Sequence, residues 1–355
     1  MKKEGLSVKI EDIKKLTKEK EYDFLRENEH LRSNVCLLVL GGSHAYGTNI
    51  EGSDVDIRGA ALPSRDDILL GRDFEQVVDT ATDTTIYSFR KMVKLLCEQN
   101  PNMLEILFVK PEHILYMDTA GEMLMNNKEI FLTKKIFHTC GGYAKEQLRR
   151  LDTKSARTLS QAQQEAHIIN SINSAKDTFP KDYFYYDKDA IRLYLDDALE
   201  EGGLEKEIFM DVSLSHYPLR DYRGMWNTMN SILRDYNKAG KRAKSAYARG
   251  VVNKHGMHLT RLLLLAERAL RTGDMSTYME EDHNLLMDIR NGKYMGDDGQ
   301  MTPEFFLMIN DLEKKMKAAY EKTALPEEVD KRRVEALVKT VMDDVVCRAP
   351  RKRKV

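Results

Sequence analysis

A short apolar segment at residues 35–40, VCLLVL, constrains the fold of this chain more than any other feature. Two glycines, Gly41 and Gly42, follow it directly. An unbroken apolar run that ends at glycine is typical of a strand buried on both faces of a sheet. Residues 83–87 also have the pattern of an extended segment, and SFRKMVKLLCEQ after them repeats apolar residues at helical spacing. The first third of the chain is therefore expected to combine strands with helices.

Long amphipathic helices are predicted for most of the chain after residue 116. Residues 180–203, the stretch around Trp226 and a segment that begins at Thr302 all have this pattern. The clearest helix lies at residues 255–274, where Gly273 marks its end and one stripe is apolar: Leu259, Leu262, Leu263, Ala266, Ala269 and Leu270. The predicted fold class is accordingly α+β, with a small mixed sheet followed by a larger α-helical C-terminal region.

The same patterns divide the 355-residue chain into four segments. We expect a charged helical extension at residues 1–32, a sheet domain at residues 33–115, an α-helical domain at residues 116–345 and a basic tail at residues 346–355. The tail is interpreted as a solvated terminus, with a nuclear-import-like or RNA-contacting segment as the alternative.

The overall composition excludes some classes of protein. The chain has 56 Lys and Arg against 57 Asp and Glu, which argues against a protein that coats a polyanion. Its 4 cysteines are scattered without metal-ligand spacing, as expected for reduced thiols inside a cell. No apolar stretch approaches the length of a membrane span, and the charged N-terminus lacks the apolar segment of a signal peptide. We therefore expect a cytoplasmic protein with no membrane partner.

Two carboxylates and a glycine turn suggest where chemistry takes place. The segment SDVDIRG alternates polar with apolar residues, so a strand here would place Asp54, Asp56 and Arg58 on one face. Carboxylates so close repel each other, and Mg²⁺, which prefers oxygen ligands, would relieve that repulsion. The turn at Gly42 and Ser43 offers backbone N–H groups and a hydroxyl to a phosphate. We expect both features to face one cleft; the alternative is a surface loop with an exposed Asp-x-Asp turn.

A second cluster of candidate residues lies in the helical region. Lys254, His258 and Arg261 follow one another at helical spacing, on the face opposite the leucine stripe. They belong to a stretch without any Asp or Glu, residues 238–261, whose basic residues are Lys238, Lys241, Arg242, Lys244, Arg249, Lys254 and Arg261. Such a stretch creates a local positive field that suits a triphosphate or an RNA backbone, and a solvated helix face is the alternative.

Several motifs resemble those of one known superfamily. Residues 42–48, GSHAYGT, followed by residues 53–59, SDVDIRG, are similar to the signature of DNA polymerase beta-type nucleotidyltransferases. The resemblance is greatest to the branch associated with bacterial and phage RNA repair. It covers residues 35–110 strongly and residues 250–295 moderately, and it includes motifs that contain Asp83, Glu105, His258 and Arg261.

The resemblance implies a reaction and its catalytic residues. It implies transfer of a nucleoside monophosphate from an NTP to an acceptor hydroxyl, with release of pyrophosphate and with two Mg²⁺ ions as cofactors. On this basis Asp54 and Asp56 are catalytic and ligate the metal ions. The third carboxylate of such sites comes from a later strand; here it is predicted to be Asp83, with Asp79 as the alternative.

The resemblance also implies which residues bind the nucleotide. Gly42 and Ser43 would hold the β- and γ-phosphates. Further candidates for nucleotide binding are Arg58, Lys254, His258 and Arg261. For Arg58, an ion pair with one of the aspartates is the alternative, since it shares their face of the predicted strand.

Three hypotheses about the function of the chain remain, and the first two differ in the acceptor. The basic stretch favours RNA, such as a tRNA end or a broken strand. A protein-modifying nucleotidyltransferase, as in antitoxin-like members of the superfamily, is the second hypothesis. The third is a binding module that keeps the fold without turnover, and the presence of both Asp54 and Asp56 argues against it.

Overall fold

The computed structural model describes residues 10–155, 161–184, 187–198, 206–239, 246–296 and 299–347. The chain forms two compact units. Unit 1 comprises Met1–Lys145, His258–Asp288 and Leu307–Val355, and unit 2 comprises Glu146–Met257 and Ile289–Phe306. The domain boundaries predicted at residues 32, 115 and 345 stay predictions, because these units group segments that are distant in the sequence.

Unit 1 contains a five-stranded mixed sheet in the order β3-β4-β2-β1-β5. Strand β1 pairs antiparallel with β2 and β5, β2 pairs parallel with β4, and β3 pairs antiparallel with β4. Unit 2 contains an antiparallel hairpin of two strands. The strands are β1 (Val35–Leu40), β2 (Ile57–Ala61), β3 (Gln76–Asp79), β4 (Thr84–Ser88), β5 (Ile114–Met117), β6 (Ile191–Asp197) and β7 (Lys206–Val212).

Helices account for most of the remaining described residues, and the predicted α+β class is confirmed. They are α1 (Ile10–Leu16), α2 (Phe24–Glu27), α3 (Gly42–Tyr46), α4 (Arg65–Leu70), α5 (Phe89–Cys97), α6 (Pro101–Leu107), α7 (Thr119–Asn126), α8 (Ile136–Ser155), α9 (Gln161–Lys176), α10 (Phe179–Asp182), α11 (Leu219–Ala239), α12 (Ala246–Thr272), α13 (His283–Arg290), α14 (Pro303–Lys322) and α15 (Lys331–Cys347). No helix in the described ranges is long and apolar enough to cross a membrane.

The sheet of unit 1 owes its stability to apolar residues on both of its faces. All six residues of β1 are buried, as the unbroken apolar run predicts. On one face, Ile57 and Ile86 pack against Tyr22 and Leu25 from the charged N-terminal segment. The predicted leucine stripe of α12 is also buried, and Gly273 follows this helix with φ +73, as a C-terminal glycine should.

The hairpin of unit 2 corrects one prediction. Residues 180–203 were expected to be helical, but β6 begins at Ile191. Apolar residues at every second position of this strand, Ile191 and Leu193, pack against Phe179, Met225 and other buried side chains of unit 2. The segment follows the two-residue period of a strand, which its many charged residues obscure in the sequence.

Candidate active site

The glycine turn after β1 forms a short helix, α3. Helix α3 begins at Gly42, whose φ is +57, and it is followed by the capping residue Gly47, whose φ is +70. Backbone bonds close the turn: the N–H of Ala45 donates to the carbonyl of Gly41 and that of Thr48 to the carbonyl of Ser43. The left-handed φ at both ends requires glycine, since a side chain is strained there. The sequence therefore encodes a compact turn directly at the end of β1.

The carboxylate of Asp56 lies against this turn. A Cβ atom built on Gly42 would lie 1.8 Å from Oδ2 of Asp56, far closer than any two such atoms can approach. In addition, the N–H of Gly41 donates to the carbonyl of Asp56 at 2.8 Å. The predicted phosphate-binding turn and one predicted metal ligand are thus in direct contact.

The aspartates do not lie within a strand, contrary to prediction. Strand β2 begins at Ile57, so Asp54 and Asp56 precede it. The N–H of Gly41 holds Asp56 at the end of β1, while the pairing of β2 with β4 begins only at Ile57. Asp54 is exposed, and no hydrogen bond or ion pair joins its side chain to a described residue.

Asp83 precedes β4 as Asp56 precedes β2. The parallel register pairs Ile57 with Thr84, so the two aspartates occupy equivalent positions just before β2 and β4. Asp83 has a left-handed φ of +46. The guanidinium of Arg58 joins both side chains: its Nη2 is 2.9 Å from Oδ1 of Asp56 and 3.3 Å from Oδ1 of Asp83. Of the two interpretations of Arg58, the ion pair with an aspartate is the one that this structure contains.

Asp79, the alternative third carboxylate, has a structural role in the β3–β4 turn. Its Oδ1 accepts from the N–H of Thr82 at 2.9 Å and from the Thr82 hydroxyl at 2.8 Å. Within the described ranges, no three His, Cys, Asp or Glu side chains are arranged to hold a metal ion together. The cationic group between Asp56 and Asp83 is Arg58.

A cavity of about 250 Å³ opens beside the turn. Polar residues of the candidate site line it, among them Gly42, Asp56 and Arg58. Apolar side chains such as Met103 and Ile106 line it as well. A cavity that combines charged groups with apolar walls suits a ligand that has both polar and apolar parts.

Arg261 corrects the prediction for the basic face of the helical region. It was expected opposite the leucine stripe, but its side chain is only 4% exposed. Its Nη1 donates to Oε1 of Glu105 at 2.5 Å, and its guanidinium lies 3.8 Å from the ring centroid of Tyr46. The other oxygen of Glu105 accepts from the Tyr46 hydroxyl at 2.5 Å. A buried carboxylate is thus the partner that compensates for the burial of this arginine.

The pKa values of this trio follow from burial and from the neighbouring charges. Burial raises the pKa of Tyr46 far above that of a free phenol, and the nearby Glu105 adds to this effect. Burial opposes the charge of Arg261, but Glu105 and the other neighbouring groups together more than offset this effect, so the pKa of Arg261 is raised. Tyr46 is therefore a neutral donor and Arg261 a permanent cation at any physiological pH.

Two further candidates for nucleotide binding, His258 and Lys254, lie on α12. The ring of His258 meets the ring of Tyr46 edge-on, with centroids 6.4 Å apart. Lys254 is exposed and belongs to unit 2. The segment with Lys241, Arg242 and Lys244 lies outside the described residues, as does the basic tail from residue 348 onward.

Residues that sequence reasoning left without a role support α3 from its C-terminal side. Nε2 of His283 lies 2.8 Å from the carbonyl oxygen of Gly47. A Cβ on Gly47 would lie 2.4 Å from the ring of Tyr278, so glycine is needed here for space as well as for its φ. Both residues belong to the part of the chain where the resemblance is moderate, but nothing in their spacing marks them as neighbours of the turn.

Comparisons with known proteins agree with the motifs. The RlaP family, described as an RNA repair pathway DNA polymerase beta family, matches residues 12–191. An uncharacterized 38.9 kDa protein of Enterobacteria phage T4 is 24% identical over 286 residues, which span 71% of this chain and 81% of the phage protein. No solved structure matches the chain. With half of its length matched, and with the glycine turn and the aspartates in contact, the chain belongs to the RNA repair pathway DNA polymerase beta family, whose members are polymerase beta-type nucleotidyltransferases.

Proposed function

We propose that this protein transfers a nucleoside monophosphate from an NTP to a hydroxyl group of RNA, with release of pyrophosphate. The observation that carries the proposal is the contact between Gly42 and the carboxylate of Asp56. The backbone N–H groups of a turn suit the phosphates of an NTP, and a carboxylate beside it suits the cation that accompanies them. The contact supports nucleotidyl transfer because it brings together a group suited to phosphates and a group suited to a cation.

The residues around this contact have the right chemistry for Mg²⁺. Asp56 and Asp83 supply hard oxygen donors, and one cationic group, Arg58, already lies within 3.3 Å of an oxygen of each. Asp54 supplies a further exposed carboxylate. In our proposal these three aspartates hold two Mg²⁺ ions. When bound, the ions would offset the charge of the triphosphate and favour ionisation of the acceptor hydroxyl.

The remaining roles follow from the polar groups beside the aspartates. The backbone of Gly42 and the hydroxyl of Ser43 would bind the β- and γ-phosphates. Arg58 would exchange part of its contact with the aspartates for a phosphate oxygen of the NTP, since its side chain is 27% exposed at the cavity. His258 and Lys254 stay candidates for nucleotide binding. Arg261 is reassigned, because its guanidinium is buried between Glu105 and the ring of Tyr46.

We favour RNA as the acceptor because of the family and the acid-free basic stretch. The family description refers to RNA repair, and residues 238–261 contain seven basic residues and no acidic one. A basic stretch raises the binding affinity for a polyanion such as RNA, whereas binding of a protein acceptor does not generally require one. A protein-modifying enzyme is the alternative, and it shares the same catalytic residues.

The acceptor can be identified by following the label of an α-labelled NTP. The protein would be incubated with Mg²⁺ and each of the four NTPs, in the presence of total RNA and total protein. We expect the label in material that ribonuclease degrades and protease does not. A label that only protease releases would support the protein-modifying alternative and contradict the RNA proposal.

Asp83 and Asp79 are expected to differ sharply on substitution. Asp83→Asn should slow transfer at least about tenfold at near-normal NTP affinity, because it removes a charge that faces the reaction centre. Asp79→Asn should stay within about twofold of wild type, since its Oδ1 can still accept both bonds from Thr82. Steady-state kinetics of both variants would test this ranking. The reverse ranking would show that the third carboxylate is Asp79.

RNA binding by the basic stretch should depend on salt. Replacing Lys241, Arg242 and Lys244 by Gln should flatten the plot of log affinity against log salt by about 0.7 for each phosphate of a single strand that the variant no longer neutralises. The matched control replaces three exposed lysines of α14 by Gln: Lys314, Lys315 and Lys317. Filter binding across a salt series would measure the slopes. Equal slopes for wild type and both variants would contradict a role of the stretch in RNA binding.

A further inference from the structure

We propose that Glu105 is a positioning residue that holds the phosphate-binding turn in place through the hydroxyl of Tyr46. The nucleotide part of this inference rests on the function proposed above. Its structural part is independent of that function, because it concerns only how α3 is kept against Asp56.

Helix α3 cannot hold its own geometry. It has five residues, and its first residue is the one that contacts Asp56. An isolated helix of this length is unstable in water, since forming one turn costs more conformational entropy than its few hydrogen bonds return. The position of Gly42 must therefore be set by contacts that other parts of unit 1 make with the turn.

Tyr46 makes two of these contacts. It is the last residue of α3, one helical turn after Gly42, and it is 8% exposed. Its hydroxyl donates to Glu105 of α6 and its ring is covered by Arg261 of α12. Any displacement of the Tyr46 side chain is transmitted through a single turn to the backbone at Gly42.

Glu105 is the centre of this arrangement because both of its oxygens are used. Oε1 accepts from Arg261 and Oε2 accepts from Tyr46, each at 2.5 Å, and the Glu105 side chain is 6% exposed. In a buried site, a charged group must keep all of its partners, because losing one leaves an unsatisfied charge. The position of Tyr46 is thus fixed by the requirement to satisfy a buried carboxylate, which a purely apolar contact would not impose.

A purely structural role for the trio predicts something different. A buried ion pair that serves only stability would lower the melting temperature on substitution without changing the turn in the folded protein. A positioning role predicts local loosening of residues 42–46 and weaker NTP binding while the rest of unit 1 stays folded. The two can be separated by a substitution that removes one hydroxyl group and keeps the ring.

The test compares Tyr46→Phe with Tyr22→Phe. Tyr22 is a matched control, since it is also buried, at 3% exposed, and packs with Ile57 and Ile86 rather than with α3. Amide hydrogen exchange of the peptide with residues 42–46 should become about tenfold faster in Tyr46→Phe, as expected for loss of a hydrogen bond to a charged group. The KM for NTP should rise by a similar factor with little change in kcat, and Tyr22→Phe should change neither.

A second variant, Glu105→Gln, tests the same hydrogen bond from the side of its acceptor. Glu105→Gln keeps the shape of the side chain and should also loosen residues 42–46. Because it removes the carboxylate that compensates for the buried Arg261, its melting temperature should fall further than that of Tyr46→Phe. Exchange at residues 42–46 equal to that of the control variant would overturn the positioning role. If the wild type binds no NTP, the proposed function fails, while the exchange measurement still decides whether Glu105 positions the turn.

Discussion

Asp56→Asn is expected to reduce nucleotidyl transfer by about 10²-fold or more, the scale on which a single preorganised electrostatic group contributes to catalysis. The substitution changes charge without changing volume, so the contact with Gly42 is kept. What is lost is the carboxylate that would hold the cation beside the phosphates. Initial rates with each NTP and RNA would measure the effect, with the protein's fold checked by circular dichroism.

The control for this substitution is Asp66→Asn. Asp66 is an exposed aspartate of the same unit, in the first turn of α4, so its substitution removes the same charge far from the proposed chemistry. We expect it to retain wild-type activity. Because Asp56 is paired with Arg58, removing its charge should lower stability by about 1 kcal/mol rather than relieve a repulsion with Asp54. Full activity of Asp56→Asn would contradict its assignment as a catalytic residue.

Gly42→Ala should reduce nucleotidyl transfer by a similar factor, although it removes no polar group. The added Cβ would lie 1.8 Å from Oδ2 of Asp56 and 2.5 Å from its Cγ, so the turn and the carboxylate must separate. If catalysis requires their contact, transfer should fall by about 10²-fold, comparable to removal of an electrostatic group. Activity and NTP affinity should fall together.

Gly52→Ala separates the clash from the strain of the backbone. Gly52 also has a left-handed φ, +78, but a Cβ there meets nothing within 4 Å. Both variants should lose about 1–2 kcal/mol of stability through the unfavourable φ, but only Gly42→Ala should lose activity. Equal activity of the two variants would show that the contact between Gly42 and Asp56 is not needed for catalysis.

The elements that could be predicted from sequence are those with a local pattern. The buried strand β1 is encoded by consecutive apolar residues and the leucine stripe of α12 by apolar residues at helical spacing. Both predictions are confirmed. The fold class and the family also follow from local motifs. The proximity of Gly42 and Asp56 is expected from the short connection between them, and the structure contains this contact.

The rest depends on partners far apart in the chain. Arg261 carries a charge at a helical position and is therefore assigned from sequence to solvent or phosphate, but its partner Glu105 is 156 residues away. No spacing rule connects two such residues, and only the fold brings them together. The hairpin β6–β7 escapes prediction for another reason: its charged residues suit a helix surface as well as an exposed face of a strand.

The most direct test of the proposed reaction compares an NTP labelled at the α-phosphate with one labelled at the γ-phosphate, each incubated with the wild-type protein, Mg²⁺ and RNA. Nucleotidyl transfer predicts that the α-label enters the RNA while the γ-label leaves as pyrophosphate, and that Asp56→Asn reduces both signals together. A γ-label in the RNA, or release of γ-label with no α-label in any acceptor, would contradict the transfer of a nucleoside monophosphate at this site.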